Sequence, residues 1–257
     1  MGPKYLYPAI MIPYKFTSIG EMIGVNSFLR RRMSIFAGKN PEKMKAAIFD
    51  MDGTMVDNMM VHHRAWQKKL AEFGLDMTLE EIKEKVHGIN EEILERLFAG
   101  RFTPDERRRI SREKEAAYRE IFLPDLKLVA GLPEFLNQLS GAGIPMAVAS
   151  AAPPENVNFV LDNLALRPYF PVVLHARDVA LGKPHPEIYL KAADGLGLPP
   201  GDCVVFEDSP VGATAASRAG CPLVVVTTTH VEADFTGISN ISRFIPDFRT
   251  ITFADLQ

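Results

Sequence analysis

The sequence predicts an α/β fold, in which a doubly wound parallel sheet carries a small four-helix domain inserted after the first strand. Two patterns support this prediction. From residue 126 onwards, short apolar runs alternate with segments of helical periodicity, which is typical of a parallel sheet with helices on both faces. Between residues 58 and 125, by contrast, the periodicity is helical throughout.

The first strand is predicted at residues 46–49, where four apolar residues follow one another without alternation, as in a strand buried on both faces. The run ends at Asp50, and Asp52 follows two positions later. Side chains two apart in an extended chain project to the same side, so these carboxylates begin as neighbours. Because two close carboxylates repel each other, the pair is a candidate metal site and nucleophile.

Four helices are predicted between residues 58 and 125, which we interpret as a helical domain. The second and fourth begin after Thr78 and Thr103, each with a glutamate three positions on, the signature of a capping box. The fourth is dense in arginine and glutamate, which is typical of a solvated, salt-bridged face. We expect residues 44–57 and 126–257 to form the core domain.

Residues 1–43 differ from the rest, because an apolar stretch interrupted by Pro8 and Pro13 is followed by three arginines. We expect an extension that is poorly ordered or not part of the working protein, with an organelle transit peptide as the alternative. The net charge of −3 gives no general attraction to nucleic acid or membranes, and the two cysteines indicate buried thiols in a reducing compartment. We therefore expect a cytoplasmic protein, a monomer or weak dimer, that binds neither nucleic acid nor membranes.

Polar residues follow several predicted strands. They are Asp50 and Asp52, then Ser150, then Glu207 and Asp208, while Lys183 lies in a loop just before a helix. Ligands bind at the carboxyl ends of strands in open parallel sheets, so we expect one shared crevice. Oxygen ligands without a His or Cys cluster favour a hard cation such as Mg²⁺, and a lysine with a hydroxyl suits a phosphoryl group. The pattern predicts phosphoryl transfer, with an aspartate available as nucleophile.

Four segments resemble the motifs of the haloacid dehalogenase (HAD) superfamily. They are DMDGT at 50–54, Ser150, GKPHPEIY at 182–189 and FEDSPVGATAA at 206–216. The helical insert directly after the first motif is similar to the cap domain of the β-phosphoglucomutase-like subgroup. The resemblance therefore implies a Rossmann-like HAD core with a helical cap.

The resemblance also implies a role for each matching residue. Asp50 would be the nucleophile, and Asp52 would protonate the leaving oxygen and then deprotonate the attacking water. Thr54 and Ser150 would hydrogen-bond the phosphoryl oxygens, and Lys183 would neutralise Asp50 and the phosphate. Asp50, Asp208 and the main-chain carbonyl of Asp52 would hold Mg²⁺, with Glu207 as a further ligand or just behind the ligands. Superfamily dehalogenases lack the second aspartate and need no metal, so Asp52 and Asp208 argue against dehalogenation.

In this resemblance the insert decides the substrate. His62 stands where mutase-like members carry a histidine that faces the site, although it could also simply pack in its helix. His87 and Glu91 lie in the segment that matches the substrate-specificity loop, where true β-phosphoglucomutases carry a lysine and an arginine. Ala151, a further candidate for substrate contact, lies in the loop after Ser150, where the chain departs from the mutase again. An acid in place of an arginine weakens a second anion site, so hydrolysis is favoured over mutase activity.

We therefore predict a Mg²⁺-dependent phosphatase that acts on a small phosphorylated metabolite such as a sugar phosphate. A β-phosphoglucomutase or another phosphosugar mutase is the nearest alternative, and it would need a bisphosphate primer. An inorganic pyrophosphatase is a further alternative. A non-catalytic binding module is the last, although the presence of Asp50, Asp52, Lys183 and Asp208 argues against it.

Overall fold

The computed structural model describes residues 44–257. The predicted extension, residues 1–43, lies outside the described residues. Within them, the strands are β1 (Ala46–Phe49), β2 (Met146–Ala149), β3 (Val172–Leu174), β4 (Cys203–Glu207), β5 (Leu223–Val226) and β6 (Ile241–Ile245). The helices are α1 (Met59–Ala71), α2 (Leu79–Lys85), α3 (Asn90–Phe98), α4 (Pro104–Phe122), α5 (Leu132–Gly141), α6 (Pro154–Asn163), α7 (Glu187–Gly195) and α8 (Pro210–Ala219).

The strands form one parallel sheet in the order β3-β2-β1-β4-β5-β6. β1 therefore lies in the middle, where the strand order reverses, and this is the position at which doubly wound sheets open a crevice for ligands. The predicted fold class is confirmed, and β6 from the C-terminal segment forms one edge of the sheet.

The sheet is buried on both faces, as the unbroken apolar runs predicted. Ala47 and Phe49 of β1 belong to a hydrophobic cluster on one face, with residues of α5 and α6. Ala46 and Ile48 belong to the cluster on the other face, with residues of α7 and α8. This alternation is the two-residue period of a strand, and it fixes which side chains reach each layer of helices.

The four helices between β1 and α5 have a small hydrophobic cluster of their own, built around Trp66, Leu70, Ile82, Ile93, Leu94 and Ile110. Both predicted capping boxes are confirmed, because the side chains of Thr78 and Thr103 each accept a hydrogen bond from the main-chain nitrogen of the glutamate three residues on. Each of these hydrogen bonds satisfies a main-chain donor that the first turn would leave unpaired.

Two main-chain hydrogen bonds hold the chain near the point where it returns from these helices to the sheet. Val129 N donates to Met55 O at 2.9 Å, and Phe248 N donates to Ala130 O at 2.9 Å. The segments that enter and leave the insert are therefore joined to each other. Within residues 44–257, every helix is too short or too polar to span a membrane.

Candidate active site

Three neighbouring strands end at the same edge of the sheet, and each is followed by a polar residue. Asp50 follows β1, and its main-chain nitrogen donates to Phe206 O of β4 at 3.0 Å. Glu207 closes β4 and Asp208 comes next, while Ser150 follows β2. The parallel registers of these strands therefore bring the first and fourth motifs side by side.

Lys183 reaches this edge from the loop before α7. Its Nζ donates to Asp50 Oδ1 at 2.5 Å and to Glu207 Oε1 at 2.8 Å. The ammonium group also lies 4.9 Å from the centre of the Tyr189 ring, in cation–π contact. The side chain of Lys183 is only 7% exposed, so its charge acts on the two carboxylates with little screening by water.

Burial and ion pairing shift the pKa values of Asp50 and Lys183 in opposite directions. Burial raises the pKa of Asp50, opposed by Lys183 and reinforced by the negative charges of Glu207 and Asp208. Burial by itself would lower the pKa of Lys183, but Asp50 and Glu207 outweigh it and raise it. The lysine therefore stays charged, and it is the group that favours the ionised form of Asp50.

Within residues 44–257, no lysine forms a hydrogen bond or ion pair with Asp208, although Lys183 lowers its pKa from a distance. Burial, followed by the negative charge of Glu207, raises the pKa of Asp208 to about 7. One oxygen each from Asp50, Glu207 and Asp208 lies within 4.8 Å of the other two. The pKa values of two of these three carboxylates, Asp50 and Asp208, are raised. The cluster fits a hard divalent cation, because such a cation would favour the ionised forms.

Glu207 differs from the other two carboxylates, because both of its oxygens are already engaged. Oε1 accepts from Lys183 and from Tyr189 OH at 3.0 Å, and Oε2 accepts from the main-chain nitrogens of Asp208 and Ser209. These contacts suit Glu207 to hold Lys183 in place. Its predicted role as a metal ligand stays a prediction.

The Asp52 carboxylate turns towards the insert. Asn58 Nδ2 donates to Asp52 Oδ1 at 2.5 Å and to Tyr118 OH at 2.6 Å. His62 stacks on the Tyr118 ring with 3.9 Å between ring centres, and its Nε2 lies 4.0 Å from Asp52 Oδ1. Of the residues predicted in the insert, His62 is the one that the structure places beside the strand-end carboxylates.

The remaining predicted residues are placed as follows. Thr54, expected to contact a phosphoryl oxygen, donates to Asp208 Oδ1 at 3.2 Å. Ser150 Oγ is buried and accepts from Ala152 N at 3.0 Å, and the neighbouring Ala151 is exposed. His87 lies in the connection between α2 and α3, and Glu91 lies in the first turn of α3. Within residues 44–257, neither side chain hydrogen-bonds to the strand-end residues.

Several residues near the site were not anticipated. Lys114 Nζ contacts His62 Nδ1 at 2.9 Å and Glu115 Oε1 at 2.9 Å. After β5, Thr228 donates to Gly53 O and Thr229 donates to Asp208 Oδ2. A signal for the second group was present, since three threonines and a histidine follow the apolar run of β5, at the same level as the other motifs. No local pattern marks Lys114 and Glu115.

A family model described as a haloacid dehalogenase-like hydrolase matches residues 44–220. A protein from Drosophila melanogaster named "Probable pseudouridine-5'-phosphatase" is 30% identical over 226 residues, which cover 84% of this chain and 96% of that protein. A "Phosphorylated carbohydrates phosphatase" from Thermotoga maritima is 32% identical over 182 residues, covering 69% of this chain and 82% of that protein. The crystal structure of a β-phosphoglucomutase from Clostridium difficile superposes with a TM-score of 0.70 at 25% identity, covering 83% of this chain and 96% of the other.

Proposed function

The chain belongs to the haloacid dehalogenase-like hydrolases and is a phosphatase of the β-phosphoglucomutase-like kind, and from this premise we propose that it is a Mg²⁺-dependent enzyme that hydrolyses a sugar phosphate or a similar small phosphomonoester through an aspartyl-phosphate at Asp50. The observation that carries the proposal is the buried contact of Lys183 Nζ with Asp50 Oδ1, 2.5 Å apart, at the sheet edge where Asp208 also lies.

In the first step, an Asp50 carboxylate oxygen attacks phosphorus and the bond to the leaving oxygen breaks. Asp52, in its protonated form, transfers its proton to that oxygen, so the leaving group departs as an alcohol. The Asp52 carboxyl lies on the side of the insert, held by Asn58, which supports a role on the leaving-group side rather than as the nucleophile.

In the second step, Asp52 is ionised and takes a proton from water as the water oxygen attacks phosphorus. The bond between Asp50 and phosphorus breaks, inorganic phosphate is released and the Asp50 carboxylate is regenerated. Lys183 stays charged throughout and offsets the negative charge of Asp50 and of the phosphoryl oxygens.

Asp50, Asp208 and the main-chain carbonyl of Asp52 would hold Mg²⁺, with Glu207 close by. The cation would supply positive charge against a phosphoryl dianion that approaches several carboxylates. The oxygen-only donor set and the raised pKa values of Asp50 and Asp208 support this assignment.

Three cationic side chains of the insert that could bind a second phosphate are already engaged, which favours hydrolysis over mutase chemistry. A mutase must hold a second phosphate on the sugar, which calls for a cation free to bind it. Lys114 is engaged by Glu115 and His62, Arg119 donates to Asn156 Oδ1 at 2.6 Å, and Arg96 donates to the carbonyls of Lys85 and His87. Glu91, in the first turn of α3 and at the position that matches the mutase arginine, adds negative charge.

The test is phosphate release from a panel of sugar phosphates and nucleoside monophosphates, with Mg²⁺ and with a chelator. We expect release that needs the metal, and a hydroxylamine-sensitive phosphoryl group on Asp50 after acid quench. Asp50→Asn should lower turnover by about 10³-fold or more and abolish the labelled intermediate. Asp57→Asn, which changes an exposed aspartate of the same segment, should behave as wild type.

Two results would overturn the proposal. One is turnover by Asp50→Asn at a tenth of the wild-type rate or faster. The other is conversion of β-glucose 1-phosphate to the 6-phosphate with a bisphosphate primer, faster than phosphate is released, which would identify a mutase. Pyrophosphate in the same panel tests the pyrophosphatase alternative.

A further inference from the structure

The segment that follows β5 makes hydrogen bonds to Gly53 and Asp208, beside the proposed cation site. It consists of Thr227, Thr228, Thr229 and His230, all half-buried, and it emerges at the edge of the sheet that carries Asp50 and Asp208. The three threonines are consecutive, yet their hydroxyl groups donate to three different parts of the structure.

Thr227 donates to the main-chain carbonyl of Ile245 at 3.3 Å, which is a contact between the ends of β5 and β6. Thr228 donates to the carbonyl of Gly53, in the turn that follows Asp52. Thr229 donates to Oδ2 of Asp208 and lies 3.1 Å from the main-chain carbonyl of the same residue. Only the second and third of these contacts reach residues of the site.

The Asp208 carboxylate consequently has a hydrogen-bond donor at each oxygen and Gly53 against one flank. Oδ1 accepts from Thr54 at 3.2 Å, while Oδ2 accepts from Thr229. Gly53 packs against it so closely that a Cβ at this position would overlap the carboxylate. These contacts restrict the orientation of the carboxylate, and in the observed orientation one of its oxygens lies within 4.8 Å of an oxygen of Asp50.

His230 adds a second layer to the arrangement. Its Nδ1 lies 2.8 Å from Thr229 Oγ1 and 3.1 Å from Asp208 O. In the tautomer with hydrogen on Nδ1, the ring donates to these oxygens. The single hydroxyl hydrogen of Thr229 is then left for Asp208 Oδ2.

We propose that Thr229 is a positioning residue of the cation site, which fixes the orientation of the Asp208 carboxylate, and that Thr228 supports the same site by holding the Gly53 turn. The inference rests on the proposed function in one respect, namely that a divalent cation binds at Asp50 and Asp208. Hydroxyl groups that orient metal ligands in this way change metal affinity when they are removed, because the carboxylate must then be ordered at the moment of binding.

The experiment measures metal binding directly and without substrate. The concentration of free Mn²⁺ is measured by electron paramagnetic resonance while the apo-protein is titrated with Mn²⁺. Mg²⁺ is then added as a competitor. Thr229→Val keeps the shape of the side chain and removes the hydroxyl, and we expect its Kd for Mn²⁺ to rise by about tenfold or more. Thr229→Ser keeps the hydroxyl and should restore the Kd to within about twofold of wild type.

Thr227→Val is the matched control, because it makes the same chemical change two residues earlier at a hydroxyl that does not reach the site. Its Kd should equal that of wild type. If Thr229→Val and Thr227→Val have equal Kd values for Mn²⁺, whether unchanged or raised from wild type, the positioning role is wrong. Should Thr229→Val fail to fold, as judged by near-ultraviolet circular dichroism, Thr229→Ala is measured against the same control.

The failure of this inference can be told apart from a failure of the proposed function. Wild-type protein that binds neither Mn²⁺ nor Mg²⁺ would refute the cation site itself, and the positioning role with it. If wild type binds Mn²⁺ tightly and Thr229→Val binds it as tightly as Thr229→Ser does, the positioning role is refuted. The cation site itself is then still supported.

Discussion

Asn156 Nδ2 donates a hydrogen bond to Glu115 Oε2 over 2.7 Å, and this contact joins α6 of the core to α4 of the insert. The other end of the same amide accepts from Arg119, so a buried core side chain is held at both ends by the insert. Glu115 also accepts from Asn90 at the start of α3. The carboxylate therefore links three elements around the site.

The first prediction concerns the pH dependence of stability. Burial alone would raise the pKa of Glu115, but the charges of Lys114 and His62 and the hydrogen bonds outweigh it and lower the value from 4.5 to about 2. A depressed pKa means that the unfolded chain takes up the proton first as the pH falls. The stability that Glu115 contributes is therefore complete above about pH 4.5 and lost towards pH 2.

Measured by urea unfolding, the stability advantage of wild type over Glu115→Gln should shrink by about 2 kcal/mol between pH 6 and pH 3. Glu120→Gln, at an exposed position on the same helix, is the control and should show no such change. An advantage that stays constant over this range would contradict the assigned partners of Glu115.

The second prediction is that Lys183→Gln destabilises the protein as well as inactivating it. Removing the ammonium group leaves Asp50 and Glu207 buried without their counter-charge, which costs on the order of 3 kcal/mol. Urea unfolding in the presence of a chelator measures this loss. Lys127→Gln, at an exposed position, should lie within about 0.5 kcal/mol of wild type. Equal stabilities of the two variants would show that Lys183 does not pair with the carboxylates.

A third prediction uses two helical glycines. A Cβ on Gly212 of α8 would overlap the Glu207 carboxylate, whereas a Cβ on Gly141 of α5 would have no described heavy atom within 4 Å. Gly212→Ala should displace Glu207, and with it Lys183, and lower kcat by at least about tenfold. Gly141→Ala should keep full activity and gain roughly 0.5 kcal/mol of stability from helix propensity. Steady-state kinetics and thermal unfolding of both variants provide the measurement; full activity of Gly212→Ala would contradict the described packing.

The fourth prediction concerns the orientation of Asp52. Asn58→Ala removes the donor to Asp52 and should lower kcat about tenfold or more while KM changes little, because the proton-transfer group is no longer held. Tyr118→Phe keeps that donor and removes only the hydroxyl behind it, so the loss should be smaller. The reverse order of the two effects would assign the orientation of Asp52 to Tyr118 instead.

Much of the fold and of the strand-end site could be predicted from local patterns. The unbroken apolar run of β1 and the glutamates three residues after Thr78 and Thr103 act within a few residues, so they are visible in the sequence. The rule that ligands bind at the carboxyl ends of parallel strands then brought Asp50, Lys183 and Asp208 together without knowledge of the packing. The structure places all three at that edge.

The interpretation of α4 as a solvated, salt-bridged face describes its arginines but not the whole helix. Its arginines do form surface ion pairs, for instance Arg109 with Glu113 at 3.9 Å. Lys114 and Glu115, however, are buried at 2% and 8% exposure, and Glu115 bonds to Asn156, 41 residues further along the chain. The sequence of a charged helix does not show which of its turns packs against another element.

The sequence by itself determined which residues end the strands, and therefore the chemistry available at the edge of the sheet. Only the tertiary structure decided how those residues are held: Thr229 on Asp208, Tyr189 on Glu207 and Asn58 on Asp52. A polar side chain can pair with any suitable group that packing brings near it. The choice among such partners depends on distances between elements that are remote in sequence, and no local period records them.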